Sequence, residues 1–169
     1  MTGGARYRVP LKRRRENRTD YHSRKALIKS ELPRAIVRKS NRHIRVQIID
    51  FSVEGDKVLA SGYSGELADL GWKGNCDNTP GAYLTGYLAG IKAQRAGVKN
   101  AVLDIGRHVP CKGSVIFAAL KGLLDAGMIL PHSKEVLPKE DRIAGKHLSE
   151  GVQKSFETVK VKLKKGGDK

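Results

Sequence analysis

The stretch Asp104-Ile105-Gly106-Arg107-His108-Val109-Pro110-Cys111-Lys112-Gly113-Ser114 gathers residue types that could do chemistry. One reading is a phosphate loop, because it ends Lys-Gly-Ser between a strand-like run and a helix-like run, the setting of G-x-x-x-x-G-K-[ST]. Counted from Gly106, however, the sixth position is Cys111 and the eighth is Gly113. Two defining positions fail, including the hydroxyl that would hold magnesium. A small nucleotide-binding protein using Gly106–Ser114 therefore stands only as a rival reading, resting on the general capacity of helix N-termini to hold phosphate. A second reading pairs Cys111 as nucleophile with His108 as base. An activated thiol also needs an orienting group and an oxyanion site, and neither is visible. A helix-entry cysteine and a surface histidine is the preferred reading. The third is metal binding, but His22, His43, His108, His132 and His147 form no H-x-x-x-H pair, and Cys76 and Cys111 form no C-x-x-C. No catalytic residue, metal or cofactor is expected, and the chain is not read as an enzyme.

The chemistry that the residues do support is electrostatic. The formal net charge is +16 over 169 residues, and it is unevenly placed. Residues 1–45 hold 15 Lys+Arg against 3 Asp+Glu, residues 46–150 hold 12 of each, and residues 151–169 hold 6 against 2. A neutral body with a basic arm and a basic tail suits a polyanion, because each cation that neutralises a phosphate releases a condensed counterion. Asn41, His43 and Gln47 interleave with Arg38, Lys39, Arg42 and Arg45. Arginine forks for phosphates, with amides and imidazoles for base edges and 2′-hydroxyls, are an RNA-contact mixture. A generic nucleic-acid-compacting protein is a further alternative. No run of about 18 apolar residues exists and no apolar segment follows the basic N-terminus, so a cytosolic protein without a membrane partner is expected.

Elements that would position these residues follow from pattern. Residues 1–18 form an arm that cannot pack on itself and is expected to be disordered without a partner. A helix is expected over Thr19–Leu32, capped by Thr19 and ended by Pro33. On a continuous helix Arg14, Arg18, His22, Lys25 and Lys29 would share one cationic face. Ala35–Lys39, His43–Phe51 and Lys57–Tyr63 read as an antiparallel meander, with Ile44, Val46 and Ile48 facing inward and His43, Arg45 and Gln47 outward. Residues 64–79 read as loop. A helix then runs to about Ala96 with Thr79 as cap and Pro80 first, its glycines Gly81, Gly86 and Gly90 allowing close approach to the sheet. Ala101–Ile105 is a short strand reached by a crossover and parallel to its neighbour, and Val115–Ala126 is a helix capped by Ser114. A short turn near Asp141–Leu148 follows, and Val159–Lys165 alternates apolar and basic residues as an extended or disordered tail would. The fold class is α/β (α+β), a mixed sheet with helices packed on it, divided as arm 1–18, globular domain 19–150 and tail 151–169.

Specific strings carry more than patterning. Arg38-Lys39-Ser40-Asn41-Arg42-His43-Ile44-Arg45-Val46-Gln47-Ile48-Ile49-Asp50 resembles the first hairpin of the ribosomal protein family L-eighteen, the 5S-rRNA-binding protein of the large subunit. Similar to that family too are Asn78-Thr79-Pro80-Gly81-Ala82-Tyr83-Leu84-Thr85-Gly86, Leu103-Asp104-Ile105-Gly106 and the run from Gly113 to Gly127. So are the arm Pro10-Leu11-Lys12-Arg13-Arg14-Arg15-Glu16 with Asp20-Tyr21, and Pro131-His132-Ser133 with Asp141-Arg142-Ile143-Ala144-Gly145. The resemblance covers nearly the whole chain, and the length and the Gly71-Trp72-Lys73 insertion look like the archaeal form. It implies a non-enzymatic ribosomal protein in the cytoplasm that binds 5S rRNA, helps attach it to the central protuberance, touches large-subunit rRNA, and neighbours other ribosomal proteins, including another 5S-binding one. By the same resemblance RNA contact falls to Arg6, Arg8, Lys12, Arg13, Arg14, Arg15 and Arg18 of the arm, and to Arg24 and Lys25 of the helix. In the hairpin it falls to Arg38, Lys39, Asn41, Arg42, Arg45 and Gln47, with Lys112 as a further phosphate contact.

Overall fold

Alternation of β-branched with polar residues sets the sheet. In the computed structural model, which describes residues 4–167, three strands form an antiparallel meander: β1 (Arg34–Lys39), β2 (Ile44–Asp50) and β3 (Lys57–Tyr63). Val37 pairs with Val46 and Ile48 with Ala60, so one face is continuously apolar. The register shifts between Ile48 and Ile49, leaving Leu59 as an extra residue of β3. A fourth strand, β4 (Val102–Asp104), lies parallel to β1 with Ile36 opposite Asp104, giving the order β3-β2-β1-β4. The expected mixed sheet is what the chain forms.

Two helices cover the apolar face, α4 (Thr79–Arg95) and α5 (Val115–Asp125), after a short α3 (Glu66–Asp69) that breaks the expected loop over 64–79. Leu84, Ala89, Ala93, Leu120 and Leu123 are buried together with Ala35, Val37, Ile44, Val46 and Ile48. The cap of α4 is Asn78 and not Thr79. Asn78 is still extended, so its side-chain oxygen accepts from the Gly81 amide at 2.8 Å, whereas Thr79 is already helical. The glycines of α4 also serve a different neighbour from the one expected. A methyl at Gly86 would collide with the Ala119 carbonyl of α5, and one at Gly122 of α5 with the Tyr83 carbonyl. The two helices therefore cross backbone to backbone. Close approach to the sheet is supplied instead by Gly62 of β3, whose absent Cβ would lie 2.9 Å from the Ala89 methyl and the Thr85 carbonyl.

The C-terminal segment is neither extended nor unstructured. After a 3₁₀ turn (Lys134–Val136) and α6 (Glu140–Ile143), residues Glu150–Gly167 form α7. Phe156, Val159 and Leu163 are buried, while Val161 is half exposed. Phe156 meets the Tyr83 ring at 5.7 Å, and Lys160 lies over both rings, 5.1 Å from that of Tyr83. The burial follows a helical spacing that the period-two reading of Val159–Lys165 hides. Residues 1–3 of the arm and 168–169 of the tail lie outside the described residues.

At the other end the expected long helix is two pieces. Lys12–Arg15 form one helical turn, α1, and Tyr21–Ile28 form α2. Asn17 sits at φ 54° between them and ends the first turn, so Arg14, Arg18, His22, Lys25 and Lys29 do not share one continuous helical face. Asp20 caps α2 in place of Thr19, accepting from the His22 and Ser23 amides at 3.0 and 3.3 Å, and Glu31 leaves the helix at φ 56°.

Candidate nucleic-acid interface

The face of the sheet not covered by α4 and α5 is the polar one. Arg34, Ile36 and Arg38 of β1, Arg45 and Gln47 of β2 and Asp104 of β4 alternate out of the apolar layer. Above β1 and β4 lies α2, and between them runs a cleft of about 670 Å³. Five of the residues expected to contact RNA line it: Arg13, Arg18, Arg24, Arg38 and Gln47. A second concavity, of about 690 Å³, adjoins it through Thr19, Asp20 and His22 and is lined by Arg14, Arg15 and Arg107. The arm, the helix and the hairpin thus meet around one basic depression.

An ionic clasp holds that arrangement together. Arg34 is only 3% exposed, and its guanidinium donates to Asp56 at 2.7 Å and to Asp104 at 3.3 Å. Arg24 of α2 reaches the same Asp56 carboxylate at 2.9 Å, and Arg38 reaches Asp104 at 3.1 Å. The Asp104 carboxylate also accepts the Gly106 amide at 2.8 Å. Two carboxylates thereby order three arginines and pin α2 over the sheet. Arg24 and Arg38 consequently have a structural duty that their sequence positions do not reveal, although both keep more than a third of their side-chain surface open. Arg34 itself was not among the expected contacts. Its partners lie 22 and 70 residues away, so no local pattern marks it.

The hairpin tip is built to present Asn41 and Arg42. The Ser40 hydroxyl donates to the His43 carbonyl at 3.0 Å and accepts from the His43 amide at 3.0 Å, closing the turn with both tip side chains exposed. Lys39 is half-buried at the end of β1. Farther along, Arg45 lies over the Tyr63 ring at 5.4 Å, and His43 meets the same ring at 4.9 Å. Tyr63 therefore joins the interface, a residue that alternation within β3 could have placed on the outer face beside Arg45. In the arm, Lys12, Arg13, Arg14 and Arg15 are all exposed, with Arg13 Nε donating to the Thr19 hydroxyl at 2.9 Å and Arg18 paired with Glu16 at 3.2 Å. Arg6, Arg8 and Lys25 are exposed as well. The Asp20 carboxyl at the cleft is held below its ordinary range, first by the Ser23 hydroxyl, then by the Ser23 and His22 amides.

Lys112 stands apart. It does not line the cleft, and its ammonium meets Glu135 at 2.9 Å. The loop it belongs to is not arranged as a phosphate cradle. The Gly106, His108, Cys111, Gly113 and Ser114 amides are already engaged by Asp104, Ile105, Val109, Val136 and Cys111 respectively. Ser114 precedes α5 in extended conformation without a side-chain capping bond, and among the described residues its buried hydroxyl has no partner. Among the described residues no hydrogen bond joins Cys111 to His108, no group of three or more His, Cys, Asp or Glu could hold a metal ion, and no helix is long and apolar enough to cross a membrane.

The known proteins that this chain is similar to are ribosomal. Residues 5–96 match the family model described as "Ribosomal large subunit proteins 60S L5, and 50S L18". The chain is 53% identical to the large ribosomal subunit protein uL18 of Korarchaeum cryptofilum over 154 residues, covering 91% of this chain and 79% of that one. It is 53% identical to the uL18 of Aeropyrum pernix, over 89% of this chain and 71% of the other, and 51% identical to that of Haloarcula marismortui, over 89% and 80%.

Proposed function

The chain belongs to the family of large-subunit ribosomal proteins described as 60S L5 and 50S L18, and we propose that it binds 5S rRNA and helps attach that RNA to the central protuberance of the large subunit. In this reading it works in the cytoplasm, on the ribosome, beside large-subunit rRNA and another 5S-binding protein. The observation that carries the proposal is the convergence of Arg13 and Arg18 of the arm, Arg24 of α2, and Arg38 and Gln47 of the hairpin around one cleft. The arm supplies counterion release and the sheet supplies a rigid surface that reads RNA shape. Lys112 lies outside the cleft, exposed and paired with Glu135.

The test is competition binding to a 5S rRNA transcript against unrelated folded RNA of equal length and duplex DNA at about 150 mM salt, where nonspecific attraction is weakened. A preference of about a hundredfold supports the reading. Equal affinity for all three reduces the protein to a polyanion binder. Replacing Arg13, Arg14 and Arg15 with Ala should lower the slope of log affinity against log salt by about 2 to 3, at 0.7–0.9 per phosphate lost. An unchanged slope removes the arm from the interface.

A further inference from the structure

We propose that the cleft between α2 and the open sheet face receives one unstacked nucleotide, base inside and phosphate at the mouth. Resting on the RNA-binding reading, the inference adds a base-sized subsite to what charge alone would give. Three observations carry it. The cleft's volume, about 670 Å³, falls within the roughly 300–1,000 Å³ range of small-ligand sites. Its lining is mixed as a nucleotide requires: Leu27, Ile36 and Leu103 are apolar, Gln47 brings an amide that can donate and accept, and Arg13 and Arg18 come from the arm. The third is a fixed positive charge in the cleft wall. Arg34 lines the cleft, is 3% exposed, and among the described residues its Nε–H has no hydrogen-bond partner, although both terminal nitrogens are satisfied.

With its two terminal nitrogens held by carboxylates and its Nε–H closed off from solvent, Arg34 keeps a fixed positive charge in the wall beside the base. His22 from α2 and His108 from the β4–α5 loop line the same cleft, and imidazole planes are among the surfaces on which unstacked bases rest. Sequence-selective RNA recognition works largely on splayed-out bases held by stacking and edge hydrogen bonds. A cleft of this make therefore gives a shape-reading protein one point of base readout.

The test uses the full chain with 5S rRNA transcripts carrying 2-aminopurine at successive unpaired positions. Nucleoside monophosphates and inorganic phosphate serve as small probes. One 2-aminopurine position should change fluorescence severalfold on binding, and lose that change with Ile36→Trp, which fills the cleft without altering charge. That variant should bind about tenfold more weakly at about 300 mM salt with its salt slope unchanged. Gln47→Ala, a milder change, should show the same loss should Ile36→Trp fail to fold. Monophosphates should move the Gln47 side-chain amide resonance where inorganic phosphate does not. If that shift occurs while RNA binding ignores the cleft, the site takes a free nucleotide. The inference is overturned if folded variants bind RNA like the parent and no monophosphate moves Gln47; the RNA-binding reading then still stands. If the parent chain binds no RNA, that reading fails, and the monophosphate arm alone decides the cleft.

Discussion

Replacing Asp104 with Asn isolates the clasp under the interface. The substitution keeps the side chain's shape and an oxygen able to accept the Gly106 amide. It removes the charge that two arginines share, at 3.1 Å from Arg38 and 3.3 Å from Arg34, and turns an NH₂ group toward guanidinium donors. Arg38 is 43% exposed, so solvent screens most of its share. Arg34, 3% exposed, loses one of its two neutralising carboxylates and keeps Asp56. Breaking one side of a buried pair costs about 3–5 kcal/mol, and retention of Asp56 places this case at about 3 kcal/mol. For a chain of this length that is a fall in Tm of about 6–12 °C. Urea unfolding monitored by circular dichroism, with thermal melts, measures it. The double replacement Arg34→Leu with Asp104→Leu should recover much of the loss, because it leaves neither charge stranded at that contact. A loss below about 1 kcal/mol for Asp104→Asn would refute the clasp as an anchor of the fold.

Other outcomes are equally specific. Gly86→Ala forces a methyl into the Ala119 carbonyl, and urea titration should show a loss of about 3 kcal/mol as α4 and α5 part. Phe156→Ala should cost about 3 kcal/mol and raise amide hydrogen exchange along α7 before the rest of the body. Glu31→Gly should raise stability by about 0.5–1 kcal/mol in the same titration, since the backbone there is left-handed and Gly adopts it without strain. Because the folded Asp20 pKa is depressed, the stability it contributes is intact above the ordinary carboxylate range and lost as pH falls through the folded value; the His22 and Ser23 amide resonances should lose their capped shifts only at strongly acidic pH.

The sheet was legible because its signal is local. Ile44, Val46 and Ile48 alternate with Arg45 and Gln47 inside one strand, and Lys57–Tyr63 is bounded by a turn on one side and Ser64-Gly65 on the other. What escaped pattern reading depended on distant partners or competing periods. Val159, Val161 and Leu163 suggest a strand until Phe156 is counted, after which 156, 159 and 163 form a buried helical stripe, with Phe156 against Tyr83. The helical period then wins because it buries an aromatic ring as well. The break at Asn17 has a local signal that the continuous-helix reading passed over, since asparagine readily takes the left-handed φ that ends a helix and Asp20 then starts the next as an extended cap. For the interface, the basic arm and hairpin could be read directly, whereas Arg34 looks like an ordinary strand residue until β4 brings Asp104 beside it. Charge patterning found the cations that face outward, and the fold was needed to find the one turned inward.

That inward cation also sets a timetable. As the chain is synthesised from its N-terminus, the arm, α2 and all three strands of the meander emerge well before residue 104. Arg34 can meet Asp56 early, but its second carboxylate arrives only with β4, the strand that also brings Leu103 to the cleft. A nascent chain therefore exposes its excess of positive charge first and completes the clasp that orders it last.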